Sequence, residues 1–285
     1  MALPIPDGAS YFPNMSPWLI LAVPLLIAAF LLYRGQVRKR RRQALLAAPL
    51  THEQRAVVER LVPLVKRLPG DLQIALEGKV NLMLDQVTFR GYNGVEVTEE
   101  MRLSIAAQAC LLIVNSPAWY DTLRNVLIYP SAFLAGHETH DGTFVHQHSH
   151  GTLGESWARG PVVLSWDDAL HGGLNMHDGH NVVIHEFAHQ LDALSGHTDG
   201  IPILRDGQAY AGWEKAMLDA YHHQVDRLER GERTLIDPYG ATNHEEFFAE
   251  AIVTFFEKPH DLCREEPALY AQLAKLLALD PAQWT

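Results

Sequence analysis

The sequence predicts an α+β fold, mainly helical with a small sheet, set behind one N-terminal transmembrane helix. Three observations carry this. Residues Trp18 to Tyr33 are apolar throughout, and a cluster of cations follows at once. Beyond about residue 50, apolar residues recur at helical spacing over most of the chain. Between residues 120 and 166 that period gives way to short runs rich in β-branched and aromatic residues.

Residues 1–12 form a short N-terminal segment. Extended back to Pro13, the apolar run covers residues 13–33, about 20 residues and enough to cross a bilayer. Pro24 is tolerated in membrane helices, and Trp18 and Tyr33 suit the two interfaces. Arg34, Arg38, Lys39, Arg40, Arg41 and Arg42 then open a basic juxtamembrane linker, residues 34–49. No Lys or Arg precedes the apolar run, the reverse of a cleaved signal peptide. The positive-inside rule therefore puts the N-terminus outside and the rest of the chain in the cytoplasm, tethered to the inner membrane. Taken as a buried or interfacial helix, the same run would leave a cytoplasmic protein.

Charge sharpens this reading. The chain carries a net −11, and setting aside the six cations of residues 34–42 leaves −17 elsewhere. The basic cluster is thus a local attraction to anionic lipid, and the acidic remainder argues against direct nucleic-acid binding. Cys110 and Cys263 make no disulfide framework. Both lie in apolar helical patterns and are expected as reduced core residues, which fits a reducing compartment.

Residues 50–285 are enough for one sizeable domain, and no internal repeat is evident. Helical patterns cover residues 51–67, 71–84, 98–114, 179–195, 209–230, 244–257 and 266–279. Asn125–Tyr129, Thr143–His148 and Pro161–Trp166 read as short strands.

His185-Glu186-Phe187-Ala188-His189 is the most informative stretch. It reads H-E-x-x-H inside an apolar run, and chance placement gives about 0.06 such matches in a chain of this composition. Asp178 or Asn181 can cap the helix, and Gly196 is a fitting stop. Positions four apart share a helix face, so His185 and His189 can address one metal ion. Glu186 lies one step round the helix and flanks that ion. Two neutral imidazoles beside a carboxylate able to take a proton from water is what a zinc peptidase needs.

A catalytic zinc usually takes three protein ligands. The metzincin solution would need Gly at 192 and His at 195, where this chain has Asp192 and Ser195. A Glu from a second helix is the alternative. Thr242 or Asn243 can cap a helix running through Phe255 and Phe256, and Glu246 and Glu250 share one of its faces. Glu246 is chosen as the ligand, with Glu250 accepting the free N–H of a ligating His. Glu245 and Glu246 also suit a first helical turn for purely electrostatic reasons, and Asn243 with Glu246 resembles a capping box.

These residues carry a family resemblance. From about Leu50 onward the chain resembles the Mlc titration factor A family of bacterial zinc-dependent peptidases, a gluzincin group with a zincin-like metallopeptidase domain. The specific blocks are Tyr129-Pro-Ser-Ala-Phe133, Gly154-Glu-Ser-Trp157, residues 160–167, residues 178–189 and Tyr239 to Ala249. The resemblance implies one catalytic Zn2+ on His185, His189 and Glu246, with Glu186 as general base. It implies that Tyr239 donates a hydrogen bond to the tetrahedral oxyanion, although packing at a loop corner would also account for a Tyr there. It further implies a peptide or protein substrate, with aminopeptidase-type activity on short peptides. Name-giving members titrate the glucose-responsive repressor Mlc, so a regulatory binding protein that sequesters a transcriptional regulator independently of catalysis is the alternative function.

In zincin folds a strand in the place of Pro161–Trp166 lines the cleft, and a substrate can add beside it. Glu155 is a candidate for a free-amine pocket, though a structural acid is the simpler reading. Between Phe133 and Gly154 lies a His-rich insertion with His137, His140, His146, His148 and His150. No carboxylate or Cys there completes a ligand set, so a solvated polar hairpin tip is favoured over a second metal site. His171, His177 and His180 stand close enough in sequence to support the metal helix from outside its ligand set.

Overall fold

In a computed structural model of the protein, the described residues are 17–131 and 160–284. The His-rich insertion, the expected strand Thr143–His148, Glu155 and the block Gly154–Trp157 lie outside them.

The chain divides into two units, residues 1–45 and 46–285. The described residues of the first all belong to helix α1, Pro17–Ala47, which runs on without a break through the basic cluster. Leu25, Leu26, Ile27, Phe30, Leu31, Leu32 and Tyr33 are all exposed on it. Among the described residues no helix is long and apolar enough to cross a membrane.

The second unit is mainly helical. α2 (His52–Leu61) is followed by a 3-10 turn, Pro63–Arg67, then by α3 (Gly70–Gln86). The sequence pattern predicts one helix over 51–67, but Pro63 has no N–H to continue it and disfavours helical geometry in Val62. β1 (Thr88–Gly91) and α4 (Glu99–Leu111) come next, then β2 (Asn125–Tyr129) and β3 (Val162–Ser165). The three strands form a parallel sheet in the order β1-β2-β3, with Val126 opposite both Phe89 and Val162. β1 is not legible in the sequence because four residues are too few to establish an alternation.

α5 (Trp166–Leu174) follows β3 directly. The strand expected to reach Trp166 ends at Ser165, whose hydroxyl caps the new helix through the Asp168 N–H at 3.3 Å. Asp167 and Asp168 in the first turn favour that helix electrostatically. α6 (Val182–Asp192), α7 (Tyr210–Glu229) and α8 (His244–Glu257) form the centre, and α9 (Pro259–Glu265) and α10 (Pro267–Leu277) complete the unit.

α8 is apolar nearly all round, and such a helix must be buried. Phe247, Phe248, Ile252, Val253, Phe255 and Phe256 are all withdrawn from solvent. α6 packs along it, and Trp213 of α7 meets the Phe248 ring edge-on at 5.9 Å. α6 is held from its other side by Tyr120, whose ring stands edge-on to Phe187 at 5.1 Å. Burial at this density ties the two central helices to one relative position, since side chains in a close-packed interior have few alternatives.

Cys110 is buried beside Met83, and burial pushes its thiol up to about 12. Cys263 corrects the sequence expectation. It is a free, exposed thiol on α9 rather than a core residue, because Leu262 takes the inward position on that short helix.

Candidate metal centre

α6 begins at Asn181, whose side-chain oxygen accepts the Ile184 N–H at 2.9 Å. Of the two candidate caps, Asn181 is therefore the one used. Its amide also donates to the Gly172 carbonyl at 2.9 Å, tying the start of α6 to α5. The helix ends through a short 3-10 turn at Gly196, which takes a left-handed conformation (φ 98°) that favours glycine.

α8 begins at Asn243, which accepts the Glu246 N–H at 2.8 Å. Both sequence readings of Glu246 hold in part. Its main chain is capped as a first-turn residue, while its carboxylate turns toward α6. The loop between α6 and α7 is fixed at Gly200, whose N–H donates to Asp192 Oδ2 at 2.7 Å and whose carbonyl accepts the Trp213 indole at 3.2 Å. A Cβ on Gly200 would stand 2.7 Å from the His244 carbonyl oxygen, and its φ of 78° is a glycine conformation. Burial raises the Asp192 carboxyl to about 6 against the pull of the Gly200 N–H.

Three donor atoms converge between the helices. His185 Nε2 and His189 Nε2 are 3.1 Å apart, and Glu246 Oε2 lies 3.2 Å from the first and 3.3 Å from the second. Among the described residues this is the one His/Cys/Asp/Glu group gathered closely enough for a metal ion. A tetrahedral site with ligand bonds of about 2.0–2.1 Å has edges of about 3.3–3.4 Å between donors. The three edges here are within a few tenths of an ångström of that value. Two imidazoles and one carboxylate are also a donor set that suits zinc. The residues present fit the group.

Glu250 occupies the next turn of α8. Its Oε1 lies 2.9 Å from His185 Nδ1, so that nitrogen donates to Glu250 while Nε2 faces the donor cluster. Charge around His185 is strongly negative. Burial disfavours its imidazolium, but the hydrogen bonds to Glu246 and Glu250 and the nearby charges of Glu250 and Glu186 outweigh this and raise it to about 10. Burial likewise opposes ionisation of Glu246, yet the two histidines override it and hold the carboxyl below its ordinary range. The site is built to hold a positive charge.

Glu186 is half-buried beside the cluster, where its charge acts on both His185 and Tyr239. Tyr239 sits in the 3-10 turn Pro238–Ala241. Its ring centre is 6.1 Å from that of His185, and its phenol is hydrogen-bonded to Glu246. Burial, then the charge of Glu246, pushes that phenol above its usual value, so it remains a donor. The turn is seated on α8 through Gly240, where a Cβ would come within 3.3 Å of Glu250 Cβ. The structure thus brings His185, Glu186, His189, Tyr239 and Glu246 together.

His171 and His180 instead serve the loop ahead of α6. His171 Nε2 is 2.7 Å from Asp178 Oδ2, and His180 Nδ1 is 3.3 Å from Asp237 Oδ2. Sequence reasoning missed Glu257, which fastens the same loop. Its Oε2 accepts the Gly179 N–H at 2.8 Å, and Lys258 donates to the Asp178 carbonyl at 2.6 Å. The only hint in the sequence is an acid that ends the mainly apolar run Ala251–Phe256 of α8.

Burial raises the Glu257 carboxyl to about 8, opposed by the Gly179 N–H and aided by the charge of Asp178. A carboxyl whose folded value exceeds its unfolded one lowers stability progressively as pH rises through that interval. The window here runs from 4.5 to about 8. Glu257→Gln should therefore gain in Tm relative to wild type as pH climbs from 5 to 8. Paired thermal melts check this, and a Tm difference that stays constant across the range would contradict it.

The chain matches the family model described as glucose-regulated metallo-peptidase M90 over residues 36–277. An uncharacterized protein of Synechocystis sp. is 38% identical over 246 residues, 85% of this chain and 89% of the relative. Mlc titration factor A of Salmonella arizonae is 33% identical over 229 residues, 78% of this chain and 89% of the relative. Mlc titration factor A of Yersinia pestis (strain Pestoides F) is 32% identical over 231 residues, with 77% and 82% coverage. With its paired helices and convergent donors, this chain belongs to the glucose-regulated metallo-peptidase M90 family.

Proposed function

We propose that the protein is a zinc peptidase of the gluzincin type, with His185, His189 and Glu246 as the ligands of one Zn2+. The observation that carries this is the near-equilateral triangle of two imidazole nitrogens and one carboxylate oxygen, with edges of 3.1–3.3 Å. When bound, zinc supplies a Lewis acid that polarises a carbonyl and makes water a nucleophile near neutral pH. Glu186 takes the proton of the attacking water and passes it to the leaving amine. Tyr239 donates a hydrogen bond to the carbonyl oxygen as it becomes negative. Glu250 keeps the His185 ring in its ligating tautomer. β3 packs against α6 and ends the sheet among the described residues, so an extended peptide can add beside it. Aminopeptidase-type cleavage of short peptides is the preferred mode.

Metal analysis of the full-length protein, combined with a cleavage profile on a library of short peptides, tests the reading. About one zinc per chain and cleavage next to the free amino terminus are expected. Absence of cleavage across the library from zinc-loaded protein would count against a peptidase.

The relatives named Mlc titration factor A support a second reading, in which the protein sequesters a transcriptional regulator without cleaving it.

The catalytic unit is further proposed to be tethered to the inner membrane and to face the cytoplasm. Support comes from the apolar run Trp18–Tyr33, the cations that follow it, and the exposure of Leu25, Leu26, Phe30 and Leu32. Alkaline carbonate extraction of membranes should leave the protein in the pellet, and its release would remove the anchor.

A further inference from the structure

Asp237 belongs to neither the donor cluster nor the H-E-x-x-H helix, yet it joins the Tyr239 turn to two other elements. Its Oδ1 accepts the Tyr239 N–H at 2.8 Å and caps the turn Pro238–Ala241. Its Oδ2 stands 3.3 Å from His180 Nδ1, on the loop that leads into α6. Its main-chain carbonyl accepts the side-chain amide of Gln224, a buried residue of α7, at 2.7 Å. Two separate elements, the loop before α6 and helix α7, therefore meet the Tyr239 turn on one residue. The far side of the turn is closed by α8, where Gly240 lies against Phe247 and Glu250.

Such fastening matters for a phenol more than for most groups. A Tyr hydroxyl stands about 6 Å from its Cα, so a main-chain rotation of roughly 10° swings it by about 1 Å. Displacement on that scale is enough to lose a large part of a catalytic contribution. Pro238 limits the turn further, because its ring leaves only one soft main-chain torsion between Asp237 and Tyr239.

We infer that Asp237 is a positioning residue for Tyr239, holding the phenol in register with the H-E-x-x-H helix through His180 on one side and the Tyr239 amide on the other. This rests on the reading of Tyr239 as the oxyanion donor of the peptidase. Asp237 touches no reacting atom and acts through the turn alone.

A double-mutant cycle in the full-length zinc-loaded protein tests it, using the library peptide that wild type cleaves fastest. Tyr239→Phe should lower kcat about 100-fold. Asp237→Ala should lower kcat about 10-fold, with KM and zinc content close to wild type. Added to Tyr239→Phe, Asp237→Ala should cost less than about 2-fold more, because its effect is already spent. Asp237→Asn keeps an oxygen for the Tyr239 amide and should restore most of the lost rate. If Asp237→Ala does not fold, Asp237→Gly, a residue tolerated at caps, takes its place in the cycle.

The second readout needs no turnover. With 3-fluorotyrosine at position 239, the 19F resonance should move and broaden in Asp237→Ala and return in Asp237→Asn. Equal losses in the wild-type and Tyr239→Phe backgrounds would overturn the inference, as would a 19F signal that ignores Asp237→Ala. A wild-type protein that cleaves no peptide would sink the peptidase reading, and the 19F comparison alone would then decide the role of Asp237.

Discussion

Glu186→Gln is expected to bind zinc as wild type does and to lose peptide cleavage by about 10³-fold. The amide has the size and shape of the carboxylate but cannot accept a proton. Glu186 lies beside the cluster, where its charge acts on His185 and Tyr239, yet the three convergent donors come from His185, His189 and Glu246. Its removal should therefore leave the donor triangle intact. Zinc content by elemental analysis and single-turnover cleavage of a library peptide check the two halves of the expectation. Full activity would end the assignment of Glu186 as general base. The same variant separates the two proposed functions. Should it still complement a deletion strain at normal protein level, sequestration of a regulator accounts for the biology; failure to complement favours catalysis.

Glu246→Ala should weaken zinc binding by at least about 100-fold, a larger effect than loss of a partner outside the ligand set. Glu246 is 1% exposed and its carboxylate meets both histidines and Tyr239. Among the described residues no other acid joins the two histidines in a group close enough to hold a metal ion. Competition titration with a zinc chelator gives the measurement, and wild-type affinity would remove Glu246 from the ligand set. Glu250 is then no replacement as the helices stand. It bonds His185 through Nδ1, on the other edge of the ring from the nitrogen that joins the donor cluster. Helix-face spacing makes Glu246 and Glu250 equivalent neighbours on one stripe, and the side of the imidazole that each one reaches is what separates them.

Much of the fold is legible because helical periodicity is a local signal. α7 and α8 begin and end within a residue of the sequence expectation, and β2 matches it end to end. Local cues also explain the failures. α5 and α9 are short helices of nine and seven residues, too brief for a period to stand out. Pro63 stops α2 through a rule that acts on the preceding residue, which apolar spacing does not register. Cys263 faces water beside Arg264 and Glu265, since a short helix can turn only part of its surface inward and Leu262 takes that part.

By itself the sequence determined that His185 and His189 would share a helix face, that a later helix would carry Glu246 and Glu250 on one face, and that an apolar run with trailing cations precedes the domain. Those are consequences of a 3.6-residue period and of charge order, both read along the chain. Only the tertiary structure decided how the second helix is turned: Glu246 toward the imidazole Nε2 atoms, Glu250 toward Nδ1, and Glu257 down to the loop before α6. It likewise decided that Asp237, His180 and Gln224 meet beneath Tyr239. These contacts join residues tens of positions apart, and their geometry depends on how buried faces interlock, a property of the packed core that no local pattern encodes.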